Sequence, residues 1–277
     1  MIPLPPGTLG RLQTAAFTHY RRTLLRRCRR DAGPSPTASC LVLAPHPDDE
    51  TLGCGATILR KTALQTTVDI VFATDGRHSH HSAVVSPDAL ASLRRKEAMD
   101  ASRLLGVSDD AVHFLYYEDG TLNASFRRLV EDIRQLVRAV DPAEILAPSA
   151  IDGHADHRAL SAAVRAVLST ERHSATLFEY PVWLWNAKSW VEPGAPRWKQ
   201  AAQLAWRPLA LLAGTRPETV AIEPFRDRKQ AALAAHRSQM ENLTGEPGWA
   251  TLDPAFISHF LGAEEMFFRI TTLREPP

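Results

Sequence analysis

The sequence predicts an α/β fold, in which a single domain is built on a mostly parallel sheet with helices on both faces and is preceded by a short helical extension. Two observations predict this fold class. Short apolar segments typical of strands alternate with longer stretches of helical periodicity, as in proteins with parallel sheets. The strand-like segments are apolar along nearly their whole length, as expected of strands that are buried on both faces.

Length and composition agree with one domain of this kind. The chain has 277 residues, of which 44% are hydrophobic and 23% are charged. This length suffices for one large domain or two small ones. The chain contains no internal repeat and no low-complexity tract, so we expect one domain over residues 39–277.

Residues 1–38 are predicted to form a basic extension and linker. Leu9 to Arg30 has the character of a helix that is locally rich in arginine, and residues 32–37 (AGPSPT) are typical of a linker. Two interpretations of the helix remain open. Its arginines dock to a membrane surface or an acidic partner, or the helix is solvated on one side and packs on the domain through apolar residues. Those residues are Leu9, Leu12, Phe17, Leu24 and Leu25.

From residue 39 onward, strands and helices alternate. The strand-like segments are Ser39–Ala44, Thr67–Ala73, Val112–Leu115, Glu144–Ala147, Thr176–Tyr180 and Glu265–Ile270. The helical segments are Thr51–Leu64, Pro87–Leu105, Ser125–Val140, Asp156–Leu168 and Arg226–Gln239. Gly106 stops the second of these helices, and the Asp141-Pro142 pair ends the third. Residues 181–218 are irregular and rich in tryptophan.

Charge and cysteine content exclude several classes of protein. A net charge of +1 argues against nucleic acid as a partner. The three cysteines form no CxxC pair, so a cytoplasmic, reducing location is expected. No stretch approaches the ~18 apolar residues that a transmembrane helix needs. We also expect no secretory signal, because the N-terminal arginines follow the apolar part.

A cluster of polar residues follows the first long strand. Residues 45–50 (PHPDDE) place His46, Asp48, Asp49 and Glu50 at the strand's carboxyl end, where ligands bind in open α/β sheets. His46 and Asp49 are expected to converge on one ion, and imidazole with carboxylate suits Zn²⁺. Asp48 points elsewhere and is free for proton transfer. A Mg²⁺ site for phosphate chemistry is the alternative, although His46 fits it poorly.

A second cluster, residues 152–157 (DGHADH), follows a later strand. A catalytic zinc site needs three protein ligands and one open position. His157, at the start of a helix, is the better third ligand, with Asp156 as an orienting partner. His154 is then free to stabilise charge or move a proton. The alternative is a pair of surface histidines on a helix.

Together these residues resemble the PIG-L/LmbE-like family of zinc-dependent N-deacetylases. The resemblance rests on residues 45–50 (PHPDDE) and 154–157 (HADH), and weaker similarity extends over most of residues 39–270. Ala155 replaces the proline usual in the second motif, and Arg77 replaces a common glutamate. Residues 78–81 (HSHH) have no counterpart in the pattern and are predicted to be solvated surface, a mobile lid or a second metal site. The resemblance implies a Rossmann-like fold.

The resemblance also implies roles for individual residues. The zinc ligands are His46, Asp49 and His157, and Asp48 is the general base. His154 polarises the carbonyl or protonates the leaving amine, and Asp156 orients His154 or His157. Arg94 and Asp119 match positions that contact the sugar. Fe²⁺ or another divalent metal is an alternative to Zn²⁺.

The implied reaction is removal of an N-acetyl or other N-acyl group from an amino sugar, with release of acetate and a free amine. Tyr180 ends the fifth strand and Trp183 follows it, and both are candidates for contacts with a sugar ring. In that case the substrate is a glycoside, glycoconjugate or oligosaccharide. Core packing is the equal alternative. A thiol–sugar conjugate amidase, a Mg²⁺-dependent phosphohydrolase and a non-catalytic binding module are the other functions considered.

Overall fold

The computed structural model describes residues 19–171, 173–185, 190–191, 194–200, 202–204, 206 and 217–271. Eight strands form one sheet in the order β1-β7-β8-β6-β5-β2-β3-β4. The strands are β1 (Arg29–Arg30), β2 (Cys40–Ala44), β3 (Val68–Thr74), β4 (Val112–Tyr117), β5 (Glu144–Pro148), β6 (Thr176–Tyr180), β7 (Glu218–Ala221) and β8 (Glu264–Ile270). Only β8 runs antiparallel to its neighbours, β6 and β7.

Helices cover both faces of this sheet. They are α1 (Asp49–Thr62), α2 (Pro87–Leu104), α3 (Phe126–Val140), α4 (Ala155–Thr170), α5 (Arg226–Ala235), α6 (Arg237–Met240) and α7 (Pro254–Ile257). In β2, Val42 and its alternate neighbours face a core shared with α1, α2 and α5, whereas Leu41 and Leu43 face a core shared with α3 and α4. Because successive strand side chains point to opposite faces, an apolar run such as β2 fills both cores.

The predicted fold class is confirmed, and most element bounds agree to within two residues. Two short strands, β1 and β7, were not predicted, and β8 joins the sheet in the antiparallel direction. The predicted helix over Arg226–Gln239 is wrong in one respect. It breaks at His236, whose backbone has φ −77° and ψ 57°, and continues as the short helix α6.

Part of the predicted N-terminal helix is described. Residues 19–26 are helical, and Leu24 in this segment is fully buried in the core beside the sheet. Leu9, Leu12 and Phe17 lie outside the described residues. Most arginines of the segment are exposed, which both interpretations allow. Among the described helices, none is both long and apolar enough to cross a membrane.

A buried ion pair anchors the far end of α1. Lys61 is fully buried, and its Nζ lies 2.7 Å from Glu144 Oε2 and donates to two main-chain carbonyls. We expect Lys61→Met to destabilise the fold by about 3–5 kcal/mol, because Glu144 keeps its charge in the interior without its partner. Urea unfolding measures this. Lys96→Met breaks an exposed pair with Asp100 and should cost less than about 1 kcal/mol. Equal costs for the two variants would contradict the prediction.

Candidate metal centre and active site

The site lies where the order of the sheet reverses. From β2 the chain proceeds to β3 and β4 on one side and then crosses to β5 on the other side of β2. The carboxyl ends of β2 and β5 therefore flank a crevice, which is the usual ligand position in open α/β sheets. The loop after β2 carries His46, and the loop after β5 leads to His154 and His157.

Three donor atoms converge in this crevice. Asp49 Oδ2 lies 3.1 Å from His46 Nδ1 and 3.2 Å from His157 Nε2. Donors bound about 2.0–2.2 Å from a tetrahedral zinc lie about 3.3–3.6 Å from one another. The structure thus brings His46 and His157 to Asp49 at distances slightly shorter than those between two zinc-bound donors. Ring nitrogens of His46, His154 and His157 also lie within 4.8 Å of one another.

The environment of His157 fits a metal-ligating imidazole. Its Nδ1 lies 3.0 Å from Asp152 Oδ2, which also accepts the Val182 N–H. Its Nε2 is buried and makes no hydrogen bond to any group in the described part of the chain. Metal-binding histidines characteristically give one ring N–H to a carboxylate and leave the other nitrogen for the metal. Asp152 therefore sets both the tautomer and the orientation of this ring.

Carboxylates also hold the ring of His46, as Asp152 holds the ring of His157. Its Nε2 lies 3.1 Å from Asp119 Oδ1 and 3.3 Å from Asp156 Oδ2, which leaves Nδ1 on the side of Asp49. Asp119, expected to contact the sugar, is thus a partner of the imidazole.

Asp156 differs from expectation. The sequence predicts that it orients His154 or His157, but its carboxylate lies beside His46 and accepts the main-chain N–H groups of Gly120 and Leu122 at 2.7 and 3.1 Å. Asp156 lies in the first turn of α4 and faces the loop after β4, so it connects that loop to the metal centre.

The carboxylates of the crevice create a field that favours a cation. Burial alone lowers the pKa of an imidazole, yet Asp49 and Asp152 raise the pKa of His157 to about 9. The pKa of His46 is likewise raised well above its ordinary value, against the effect of burial. Metal ligands must release their protons, so a divalent cation competes with protons for the same negative field.

Asp48 is held in a strained backbone conformation beside the metal ligands. It precedes α1 with φ 131° and ψ −29°, a region that residues other than glycine rarely adopt. Such strain costs about 1–3 kcal/mol and is found preferentially at functional sites. Burial raises the pKa of its carboxyl to about 7, and the Arg94 guanidinium acts in the opposite direction. A carboxyl with this pKa can both accept and return a proton near neutral pH.

Arg94 lies behind Asp48 and is closed to solvent. Only 2% of it is exposed, and its NH2 group lies 3.4 Å from Asp48 Oδ2. The guanidinium also donates to the carbonyls of Pro47 and Gly76. The sugar contact of Arg94 stays a prediction, and in this structure the guanidinium meets the Asp48 carboxyl and two main-chain carbonyls. Arg94 lies on helix α2, and the packing of this helix determines where its guanidinium lies.

His154 offers one ring nitrogen to the crevice. Its Nδ1 accepts the main-chain N–H of Asp156 at 3.3 Å, where it caps α4, so the proton of the neutral ring is on Nε2. Burial lowers the pKa of His154 to about 4, and the neighbouring His46 and His157 act in the same direction. A neutral imidazole that carries its proton on Nε2 is suited to polarise a carbonyl oxygen.

The two predicted aromatic contacts lie in packed surroundings. Tyr180 is fully buried, its hydroxyl donates to Leu43 O at 2.7 Å, and its ring fills the space beside Gly53. Of the two interpretations of Tyr180, this structure favours core packing over the sugar contact, because an enclosed ring offers no face to a substrate. Trp183 is half-buried and stacks on Phe256 with a centroid distance of 4.9 Å.

Sequence reasoning gave no role to Asp152, in the second cluster, or to His236, in the predicted helix Arg226–Gln239. Asp152 opens the second cluster, and the rule that a metal-bound histidine donates to a carboxylate was a usable signal for it. His236 lies 2.9 Å from Glu50 Oε1 in the interior, a contact that no sequence spacing indicates.

We expect Asp152→Asn to weaken metal binding by about 10- to 100-fold, because partners of metal-bound histidines typically contribute this much. Isothermal titration of the metal-free protein with Zn²⁺ measures the change. Asp132→Asn is a matched control, since Asp132 accepts a hydrogen bond from Tyr117 on β4. Unchanged affinity in Asp152→Asn would contradict the role of Asp152.

Comparisons with known proteins identify a family and several relatives. The model of the family described as PIG-L, GlcNAc-PI de-N-acetylase, matches residues 41–168. The chain is 30% identical over 208 residues to the probable N-acetyl-alpha-D-glucosaminyl L-malate deacetylase 2 of Bacillus cereus, which covers 73% of this chain and 83% of that protein. It is 32% identical over 121 residues to the diacetylchitobiose deacetylase of Thermococcus kodakarensis, or 43% of this chain and 44% of that protein.

A solved structure extends the similarity to the fold. The N,N'-diacetylchitobiose deacetylase from Pyrococcus horikoshii superposes with a TM-score of 0.58 at 21% identity. The match covers 98% of this chain and 94% of that chain. At this level of identity, the comparison shows that the two proteins share a fold.

Proposed function

Because the chain belongs to the PIG-L family of de-N-acetylases, we propose that it is a zinc-dependent hydrolase that removes an N-acetyl group from an amino sugar or its glycoside. The products are acetate and a free amine. The proposal is carried by one observation, the convergence of His46 Nδ1 and His157 Nε2 on Asp49 Oδ2. Two relatives named as deacetylases of acetylated glucosamine or chitobiose compounds support the substrate class.

His46, Asp49 and His157 would hold the zinc. Two neutral imidazoles and one carboxylate form a typical catalytic donor set, and the paired second nitrogens of both rings fit it. A metal bound there supplies Lewis acidity, which polarises the acyl oxygen and lowers the pKa of water from 15.7 towards ~7. Fe²⁺ is the alternative metal, whereas Mg²⁺ prefers all-oxygen ligands.

Asp48 is the proposed general base. It takes a proton from the attacking water as the water oxygen forms a bond to the acyl carbon. Its pKa of about 7 allows the carboxyl to be ionised before this step and protonated after it. The C–N bond breaks when the amine nitrogen receives a proton, which Asp48 returns. One carboxyl therefore serves both transfers, and no net proton is gained or lost at this residue.

His154 is proposed to stabilise the negative charge on the acyl oxygen. Its Nε2–H is free because Nδ1 accepts the Asp156 N–H. A single donor of this kind contributes about 2.7–4 kcal/mol to lowering the barrier. Because the neutral ring is the populated form, His154 acts as a hydrogen-bond donor, and Asp48 is the proton source for the leaving amine.

The proposed location is the cytoplasm. All three cysteines, Cys28, Cys40 and Cys54, are free thiols, as in proteins of reducing compartments.

The test is release of free amine from a panel of N-acetylated substrates, with the zinc-reconstituted protein and after treatment with a chelator. The panel comprises N-acetylglucosamine, its α-glycosides and N,N'-diacetylchitobiose, together with a thiol–sugar conjugate. We expect turnover of at least one acetylated glucosamine compound, its loss with chelator and its return with Zn²⁺. Cleavage of only the thiol conjugate would indicate an amidase of the same chemistry. Activity that depends on Mg²⁺ and releases phosphate would overturn the proposal.

A further inference from the structure

A fully buried glutamate holds the strained backbone of Asp48. The Asp48 N–H donates to Glu50 Oε2 at 3.0 Å, two residues further along the chain. The Asp48 carbonyl accepts the Leu52 N–H at 2.9 Å, which starts helix α1. A conformation with φ 131° persists only where such contacts determine it from several sides. The Glu50 carboxylate is therefore one of the groups that fix the direction of the Asp48 side chain.

The other oxygen of Glu50 is held by His236. The imidazole Nε2 lies 2.9 Å from Glu50 Oε1, and the Thr51 hydroxyl donates to the same oxygen at 2.5 Å. His236 is fully buried, and its Nδ1 has no hydrogen-bond partner among the described residues. A buried polar nitrogen without a partner is costly. The contact with Glu50 is the interaction that offsets this cost.

The local backbone structure places His236 beside Glu50. The helical pattern of residues 226–239 is interrupted there, and Ser238 fixes the interruption by donating its N–H and hydroxyl to Glu97. Seven residues before His236, the Lys229 ammonium donates to Leu52 O at 2.8 Å. Residues seven apart on a helix share a face, so α5 and its end are attached to the first turn of α1 at two points.

We propose that His236 is a positioning residue that acts through Glu50 on Asp48. By donating to Oε1, the imidazole keeps Oε2 directed at the Asp48 N–H, and this contact maintains the backbone that aims the base. The side-chain contacts of His236 in this structure are with Glu50 and Thr51, and none is with a proposed metal ligand. His236 therefore affects the rate of the chemical step and leaves metal binding and KM unchanged. The role as a base-positioning residue rests on the proposed function.

The test compares His236→Met with His236→Gln. Methionine preserves approximate volume without a donor, whereas the glutamine amide offers an N–H at a reach similar to that of Nε2. We expect His236→Met to lower kcat by up to about 10²-fold, the effect of a small misplacement of a catalytic group. Metal content and KM should match those of the wild type, and His236→Gln should recover most of kcat.

His113→Met and His113→Gln are the matched controls. His113 pairs with Asp69 at 2.9 Å near the amino ends of β3 and β4, away from the site, and neither variant should change kcat. Unchanged kcat in His236→Met, loss of metal in that variant, or failure of His236→Gln to recover activity would each overturn the proposal.

Crystal structures separate this proposal from the proposed function. If the wild-type protein cleaves no acetylated sugar, the function fails while the positioning role is still measurable. The backbone of Asp48 should keep φ near 131° in His236→Gln and relax in His236→Met, with loss of the hydrogen bond to Glu50. An unchanged Asp48 backbone in His236→Met would overturn the role of His236 whatever the substrate.

Discussion

Replacing Asp48 with asparagine is expected to abolish most turnover while the metal stays bound. A positioned general base contributes about 10²- to 10⁴-fold to a rate, and here one carboxyl is proposed to serve two proton transfers. Asparagine has nearly the same shape but accepts no proton. Asparagine, like aspartate, is enriched among non-glycine residues with positive φ, so we expect it to keep the conformation at φ 131°.

Steady-state kinetics and metal analysis of the same preparation check this expectation. Asp69→Asn is the control, because Asp69 accepts a hydrogen bond from His113 near the amino end of β3. Near-full kcat in Asp48→Asn would show that another group is the base. Asp48→Ala should lose as much activity and also stability, because alanine adopts positive φ less readily than asparagine.

The parallel core of the fold was predictable because its signal is local. Strands β2, β3 and β5 are short apolar runs, and such runs are typical of strands buried on both faces of a parallel sheet. The strands β1 and β7 were not predictable in the same way. Each has only two to four residues and becomes a strand by pairing with a neighbour distant in the sequence. The direction of β8 similarly depends on the connection that precedes it.

The proximity of the three proposed ligands was predictable for a different reason. His46 and Asp49 are close in sequence, and the ends of β2 and β5 meet at one edge of the sheet, so His157 is brought to them by topology. The burial of the Tyr180 ring depends on the shape of the space around it. A Cβ at Gly53 would lie 2.2 Å from its ring, so the missing side chain is what admits Tyr180 to the core. No spacing rule contains that information, which is why the sequence left core packing and a sugar contact as equal alternatives.

Replacing His157 with alanine is expected to remove the metal and, with it, activity. His157 is one of three ligands and is itself held by Asp152, so its loss should weaken binding more than the about 10- to 100-fold expected of Asp152→Asn. The relative size of the two losses in metal affinity tests the role of His157. If the buried ring were only structural, His157→Ala would destabilise the fold without weakening metal binding more than Asp152→Asn does.

A thermal readout makes this test independent of substrate. A ligand that binds only the folded state stabilises it by about 2.7 kcal/mol at a hundredfold excess over Kd, so Zn²⁺ should raise the Tm of the wild type but not that of His157→Ala. His173→Ala is the control, since His173 pairs with the exposed Asp141. If His157→Ala keeps stoichiometric zinc and the shift in Tm, His157 is not the third ligand. His154 would then replace it, because its ring shares the cluster with His46, and His154→Ala would be the variant that loses the metal.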